Sequence, residues 1–332
     1  MSDEFIEGKE SKIIEEMRKR SEKENVYSFH QNPNQEVIKP LTYEEILNSN
    51  PPPLEFVLHP WLPKQGIAFV YAATGVGKTL FALNVAYAIA AGGRFLKFAA
   101  PLPRKVLYVD GEMPYVQIHS RFMDIVKQQG PLICKENWNL ITPEKSVFKL
   151  PRICDPVGQE YYLNVLKATG AEVLILDNLS SLSAIDENNS EQWKVIQDWL
   201  IFLRKEGYSV IIVHHAGKEK KGYRGTSRML DCADTAISLQ DINEDKEEKD
   251  VISSKKFIIK YQKNRSFSGQ DALSFEVELN SSGWSFDSEE KNNTRRIIEM
   301  ASELNMKPND IAMELGVSKS YVCRIIRRYC RK

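Results

Sequence analysis

The chain has 332 residues, 42% of them hydrophobic, enough for one large core plus a smaller module or for two domains. Its 45 Lys and Arg balance 45 Asp and Glu, so any nucleic-acid contact has to come from a local basic patch. No apolar run reaches membrane-spanning length, the N-terminus is acidic rather than signal-like, and five cysteines form no Cys-x-x-Cys pair. The expectation is a soluble cytoplasmic protein with reduced thiols and no zinc, since the adjacent His214 and His215 on a strand would point to opposite faces.

Residues 1–25 hold eight acidic and six basic side chains around Ile13 and Ile14, the pattern of a charged helix or a disordered arm. Asn32-Pro33, Lys39-Pro40 and Pro51-Pro52-Pro53 mark a linker with at most one short helix near Thr42 to Leu47. The core is expected to begin at Leu54.

The stretch from Gly66 to Thr79 reads as an apolar strand, a glycine turn and the start of a helix that runs to Ala91. Its Ala73-Thr74-Gly75-Val76-Gly77-Lys78-Thr79 has the make-up of a phosphate-binding loop. Gly75 and Gly77 let backbone N–H groups curl around phosphate oxygens, Lys78 reaches the β and γ phosphates, and the Thr79 hydroxyl can ligate Mg²⁺. The helix N-terminus adds its dipole. Ala72 stands where such loops commonly have a first glycine, which is tolerable if its φ stays negative. A dinucleotide-binding reading is weaker, because Leu80 occupies the place of its third glycine.

Three further aliphatic runs end in polar residues: Lys105 to Met113, Glu172 to Asn178, and Tyr208 to His215, the last preceded by an amphipathic helix from Glu191 to Lys205. Such runs separated by helical patterns predict an α/β fold with a mainly parallel sheet covered on both faces, and ligands at the strands' carboxyl ends. Strands are also expected at Thr235 to Gln240, Lys255 to Gln262 and Leu273 to Leu279, with a solvated loop over Asp241 to Asp250. Asp177 suits the carboxylate that holds Mg²⁺ through water. Its neighbour Asn178 is no acid, so the candidate general base is Glu112, with a solvated strand-end acid as the competing reading.

These motifs together, with Val106 to Pro114, Leu174 to Asn178, His214-His-Ala-Gly-Lys218 and Arg224-Gly-Thr-Ser227, resemble RecA-like ATPases of the plasmid replicative helicase RepA type, relatives of the DnaB ring helicases. The resemblance spans about residues 55 to 280. It implies a RecA-like P-loop core, ATP hydrolysis with Mg²⁺, a homo-hexameric ring and single-stranded DNA in its channel. It also implies that His215 is the polar residue sensing the γ-phosphate, or else a structural histidine, and that Lys263 and Arg265 reach into a neighbouring subunit's site, with Arg224 as the rival finger.

Ala216 to Arg228 carries five cations, one acid, three glycines and Tyr223. Lys218, Lys220, Lys221, Tyr223, Arg224 and Arg228 thus suit a sequence-tolerant grip on a single strand, against the alternative of a solvated loop. Residues 291–332 hold ten basic and four acidic side chains. Helices at Thr294 to Leu304, Asn309 to Leu315 and Ser318 to Arg331, with Gly316 at a turn, predict a helix-turn-helix whose Lys319, Arg324, Arg327 and Arg328 meet duplex DNA, or a three-helix docking module. The expected organisation is an arm and linker over 1–53, the ATPase domain over 54–289 and the helical module over 290–332. The expected function is a DNA-dependent ATPase, a helicase in replication of a plasmid, phage or mobile element. A DNA-binding regulator switched by ATP, or a RecA-like recombination ATPase, are the alternatives.

Overall fold

Five largely buried aliphatic segments line up as parallel strands with a shorter, half-exposed sixth at one edge, and everything else hangs on them. The computed structural model describes residues 40–73, 75–147, 149–183, 190–215, 230–242, 254–280, 283–286, 289–302, 304 and 306–329. Its contacts divide the chain into two units, residues 1–53 and 54–332. In the first, the short helix α1 (Tyr43–Asn48) starts at Thr42, whose side chain accepts the Glu45 N–H while Glu45 returns to the Thr42 N–H. This capping box stabilises a helix with no buried residue of its own.

The second unit opens with the hairpin β1 (Phe56–Leu58) and β2 (Leu62–Pro63), followed by β3 (Ile67–Ala72) and helix α2 (Lys78–Ala91). A small hairpin, β4 (Arg94–Phe95) and β5 (Phe98–Ala99), leads to β6 (Val106–Asp110), α3 (Tyr115–Gln129) and β7 (Trp138–Ile141). Next come α4 (Pro156–Thr169), β8 (Val173–Asp177), α5 (Leu179–Ser183), α6 (Ser190–Lys205) and β9 (Ser209–His215). The sheet is completed by β10 (Thr235–Asp241), β11 (Ser254–Asn264), β12 (Phe275–Asn280) and β13 (Gly283–Phe286). Three helices follow: α7 (Glu289–Ser302), α8 (Pro308–Leu315) and α9 (Lys319–Tyr329).

The main sheet has nine strands in the order β13-β12-β11-β10-β3-β9-β8-β6-β7. From β10 to β7 all neighbours are parallel, and β11 to β13 extend one edge antiparallel. The α/β class and the mostly parallel sheet agree with the sequence reading. Alternation within β3 explains the two layers. Ala68, Val70 and Ala72 join one core with α2, whereas Ile67, Phe69 and Tyr71 join the other with Trp193, Ile196, Leu200 and Leu203 of α6. Helix α2 is buried almost throughout.

Three differences from the sequence reading have physical reasons. Glu112 lies two residues beyond β6, in a turn rather than on the strand. The edge strand β7 was not anticipated, because Trp-Asn-Leu-Ile is four residues long and half exposed. Strand β13 was missed as well, and it is held by Trp284, whose ring meets Phe81, Phe95 and Phe257 at 5.7 to 6.2 Å. The anticipated loop over 241–250 falls mainly outside the described residues, as does the arm before residue 40. Among the described residues no helix is long and apolar enough to cross a membrane.

Helix α2 ends on Gly92 in the left-handed conformation (φ 63°), and its N–H closes onto Ala88 and Ile89. A Cβ at Gly92 would sit 2.6 Å from the Pro103 nitrogen, whereas one at Gly93 makes ordinary contacts, the Ala91 methyl at 3.6 Å and the Ala88 carbonyl oxygen at 4.0 Å. Gly92→Ala is therefore expected to cost about 2 kcal/mol or more, and Gly93→Ala about 0.5 kcal/mol or less, in denaturant unfolding midpoints. Equal costs would contradict this account of how α2 is terminated.

Candidate functional site at the carboxyl ends of the parallel strands

Register brings the polar strand ends level. Ala72 of β3 is opposite His215 of β9, Asp177 of β8 is opposite Val213, and Asp110 of β6 is opposite Asp177. The link from β3 through α2 to β6 skips the two strands between them, which opens a crevice above β9 and β8 at the phosphate loop.

Ala72 is the last residue of β3, and the only non-glycine residues with positive φ among those described are Gln65 and Leu96. The methyl group is thus accommodated, as expected. Gly75 (φ 83°) and Gly77 (φ 94°) take the left-handed conformations that curl the loop. Gly77 is the N-cap of α2 and brings no side chain, so the first-turn N–H groups have no capping oxygen and are available to an anion. Thr74 lies outside the described residues.

Lys78, the first residue of α2, is 5% exposed. Its ammonium donates to the Ala72 carbonyl at 2.9 Å and the Ala73 carbonyl at 2.8 Å. Burial lowers its pKa to about 8, against the pull of Asp177 and Glu112. Asp177 is 3% exposed, and burial raises its pKa although the Tyr108 and Thr79 hydroxyls donate to it. The Tyr108 hydroxyl is 2.6 Å from Asp177 Oδ2, and the tyrosine ring stacks on Trp138 at 6.0 Å. Asp110 is also buried, which pushes its pKa up to about 7.

The turn after β6 is built around Asp110. Its Oδ2 accepts the Glu112 N–H at 3.1 Å and the Met113 N–H at 2.8 Å. The Gly111 N–H donates to the Asp177 carbonyl at 2.8 Å, and a Cβ on Gly111 would lie 2.3 Å from the Ser181 hydroxyl, so only glycine fits between β6 and α5. Glu112 is thereby aimed back over β8, where its Oε2 accepts from the Asn178 side-chain amide. The same amide is 3.0 Å from His215 Nε2, and His215 Nε2 is 3.9 Å from Glu112 Oε2. The peptide bond between Asp177 and Asn178 is cis.

Of the residues singled out from sequence, the fold gathers Ala73, Gly75, Val76, Gly77, Lys78, Thr79, Glu112, Asp177 and His215. Sequence reasoning missed Tyr108, Asp110 and Asn178 as members of this group. The chemistry of the set fits a nucleotide phosphate with a divalent cation: a glycine cradle, a buried ammonium, the buried carboxylate of Asp177 and the Thr79 hydroxyl beside it. Among the described residues no three His, Cys, Asp or Glu side chains form a metal cage.

Lys263 and Arg265 are not part of the group. Strand β11 is antiparallel to β10, with Asn264 opposite Thr235, and Thr235 is opposite Ala68 at the start of β3. They therefore lie at the amino ends of the parallel strands. The Lys263 ammonium bonds the Leu230 and Asp231 carbonyls. The Arg265 guanidinium bonds the Asp231 carbonyl at 3.0 Å and is 4.0 Å from Asp234, which also pairs with Arg204. Lys218, Lys220, Lys221, Tyr223, Arg224 and Arg228 lie outside the described residues.

In the C-terminal helices, Ile297, Ile311, Val322 and Ile325 form a small core, and Ser318 caps α9 by accepting the Tyr321 N–H. Lys319, Arg324, Arg327 and Arg328 are exposed. The guanidiniums of Arg324 and Arg328 lie over the Tyr321 and Tyr329 rings, at 5.2 and 5.4 Å.

One structural comparison is with a KaiC-like protein of the hyperthermophilic archaeon Pyrococcus horikoshii OT3. It covers 68% of this chain and 91% of that one, at 16% identity and a TM-score of 0.48. A family model described as an AAA domain matches residues 32–221, which take in the phosphate loop, Glu112, Asp177 and His215. The chain belongs to the AAA domain family.

Proposed function

We propose that this protein is a DNA-dependent ATPase that works as a hexameric ring helicase in the replication of a plasmid, phage or other mobile element. The observation that carries the hydrolytic part is Glu112, a carboxylate standing with Lys78, Thr79 and Asp177 at one crevice instead of lying on the sheet. A nucleotide switch that never turns over has little use for such a group.

In this reading the N–H groups of the loop and of the first turn of α2 hold the phosphates, and Lys78 leaves the Ala72 and Ala73 carbonyls to meet the β and γ oxygens. Thr79 and Asp177 would hold Mg²⁺, which neutralises phosphate charge. Glu112 orients a water and takes its proton as it attacks the γ-phosphorus. In the proposed ring, further positive charge for the transition state comes from another chain. From Ala72 to the level of Arg265 is about six strand residues, roughly 20 Å, so Arg265 does not reach its own site. A head-to-tail ring that sets its amino-end edge against the neighbour's phosphate loop would make it a finger, a role worth about 10³ to 10⁵ in rate. The basic segment 216–228 follows His215 directly and suits single-stranded DNA, while the exposed cations of α9 suit duplex phosphates. Turnover of ATP without DNA, with single strands and with duplex, alongside unwinding of a forked substrate, tests the whole reading. ATP binding with no turnover under any of these conditions would favour a regulatory switch.

Because Lys78 of the free protein titrates near 8 and bound phosphate restores its charge, binding takes up a proton above that pH. Nucleotide affinity should be about tenfold weaker at pH 9 than at pH 7 by calorimetry, and a flat profile would contradict the assignment. Glu112→Gln should keep nucleotide binding and lose turnover. Mixed with Arg265→Ala in confirmed mixed rings it should regain activity above either variant alone, since some interfaces pair a sound loop with a sound arginine. No rescue would remove Arg265 as the finger and leave Arg224 as the next to test. Deleting residues 290–332 should leave basal turnover intact while weakening duplex binding and flattening its salt dependence. Unaltered duplex affinity would assign the helices to docking instead.

A further inference from the structure

Asn178 stands where a second acid might have been looked for, and every polar atom of its side chain is committed. Its Oδ1 accepts the Ser181 N–H at 3.0 Å, which settles which way the amide faces. The two hydrogens on Nδ2 are then left for two acceptors, Glu112 Oε2 and His215 Nε2, the latter at 3.0 Å. If Nδ2 donates to both, His215 Nε2 offers its lone pair and the ring proton is assigned to Nδ1, which is buried and meets no hydrogen-bond partner among the described residues. The residue is 5% exposed and is clamped from below, because the Ser181 hydroxyl donates to the Asn178 carbonyl at 3.0 Å. Glu112, by contrast, is 63% exposed at its side chain, and its carboxylate accepts from this amide, with the imidazole further off and Lys78 acting on it only through its field. Without the amide a long, solvated carboxylate would sample several rotamers.

We propose that Asn178 is a positioning residue that fixes the Glu112 carboxylate and couples it to His215, making ATP turnover depend on the last residue of β9. The inference rests on the hydrolytic reading for its rate consequences, but its geometry stands apart from that reading. Displacing the His215 ring takes an acceptor away from the amide. The freed N–H can then swing with Glu112, so a disturbance beyond the end of β9 reaches the attacking water through two hydrogen bonds. An acid at this position would do the reverse. Its carboxylate cannot donate, and it would repel Glu112 and Asp177.

Two measurements test this, one of them independent of turnover. Nitrogen shifts of the His215 ring should report the Nδ1–H tautomer in the parent and the Nε2–H tautomer in Asn178→Asp, where the carboxylate accepts instead of donating. A parent in the Nε2–H form overturns the proposal, whether or not the protein hydrolyses ATP. For turnover, Asn178→Ala should lower kcat about 10- to 100-fold with nucleotide Kd within about twofold, while its melting temperature falls because the Ser181 N–H loses its acceptor, and Asn178→Asp should lower kcat at least as far. His215→Ala should add nothing further to Asn178→Ala, because the histidine acts through the amide. Multiplying effects, or an Asn178→Ala enzyme with the parent's kcat, would overturn the proposal. A parent with the expected tautomer but no ATPase activity would sink the hydrolytic reading and leave the link between Glu112 and His215 standing.

Discussion

A lysine ammonium taken out of water has to be given partners, and this constraint organises the site. Lys78 satisfies it with two backbone carbonyls at the end of β3 and with the field of Asp177 and Glu112. Each of those partners depends on something further away. The carbonyls face inward because the loop turns over Gly75 and Gly77, and Asp177 stays buried because Tyr108 and Thr79 donate to it. Glu112 points the right way because Asp110 folds the turn beneath it. The arrangement holds Lys78 and Asp177 at low exposure beside the exposed Glu112.

Much of this was legible in the sequence, and several of the exceptions share a cause. Gly-Lys-Thr after an apolar run, Asp177 after four aliphatic residues and the extents of α2 and β9 can be read because each is a local pattern with a local physical reason. Asn178 and Tyr108 could not be assigned roles, because their partners Glu112, His215 and Asp177 are brought to them by neighbouring strands, whereas the turn that Asp110 caps is local and was overlooked. Asp110 meets Asp177 only once β6 and β8 pair in that register, and Tyr108 reaches Asp177 by the same pairing. The strand β7 escaped notice since four residues of mixed polarity carry too little period to register. For Lys263 and Arg265 the sequence suggested a spacing, whereas the antiparallel direction of β11 places them at the far edge of the sheet from their own chain's crevice.

The two edges of the sheet therefore carry different chemistry. At the carboxyl edge are the cradle, the buried ammonium and the carboxylates; at the amino edge are Arg204, Lys263 and Arg265, bound to backbone carbonyls and to Asp234. Asp234 receives the Ile67 N–H as well, so the cations are anchored at the very base of β3. Holding three long cationic side chains on fixed carbonyls leaves them less conformational entropy to lose in any further contact.

The burial of α2 has a mechanical meaning. A helix sunk in the core over nearly its whole length, shut at its far end by Gly92 against Pro103, cannot slide or tilt without opening voids or clashes on several sides. The phosphate-gripping end is thus the anvil of the molecule. Any displacement at the crevice must be taken up by the thinner parts that face it, the turn at Asp110 to Met113 and the tip of β9.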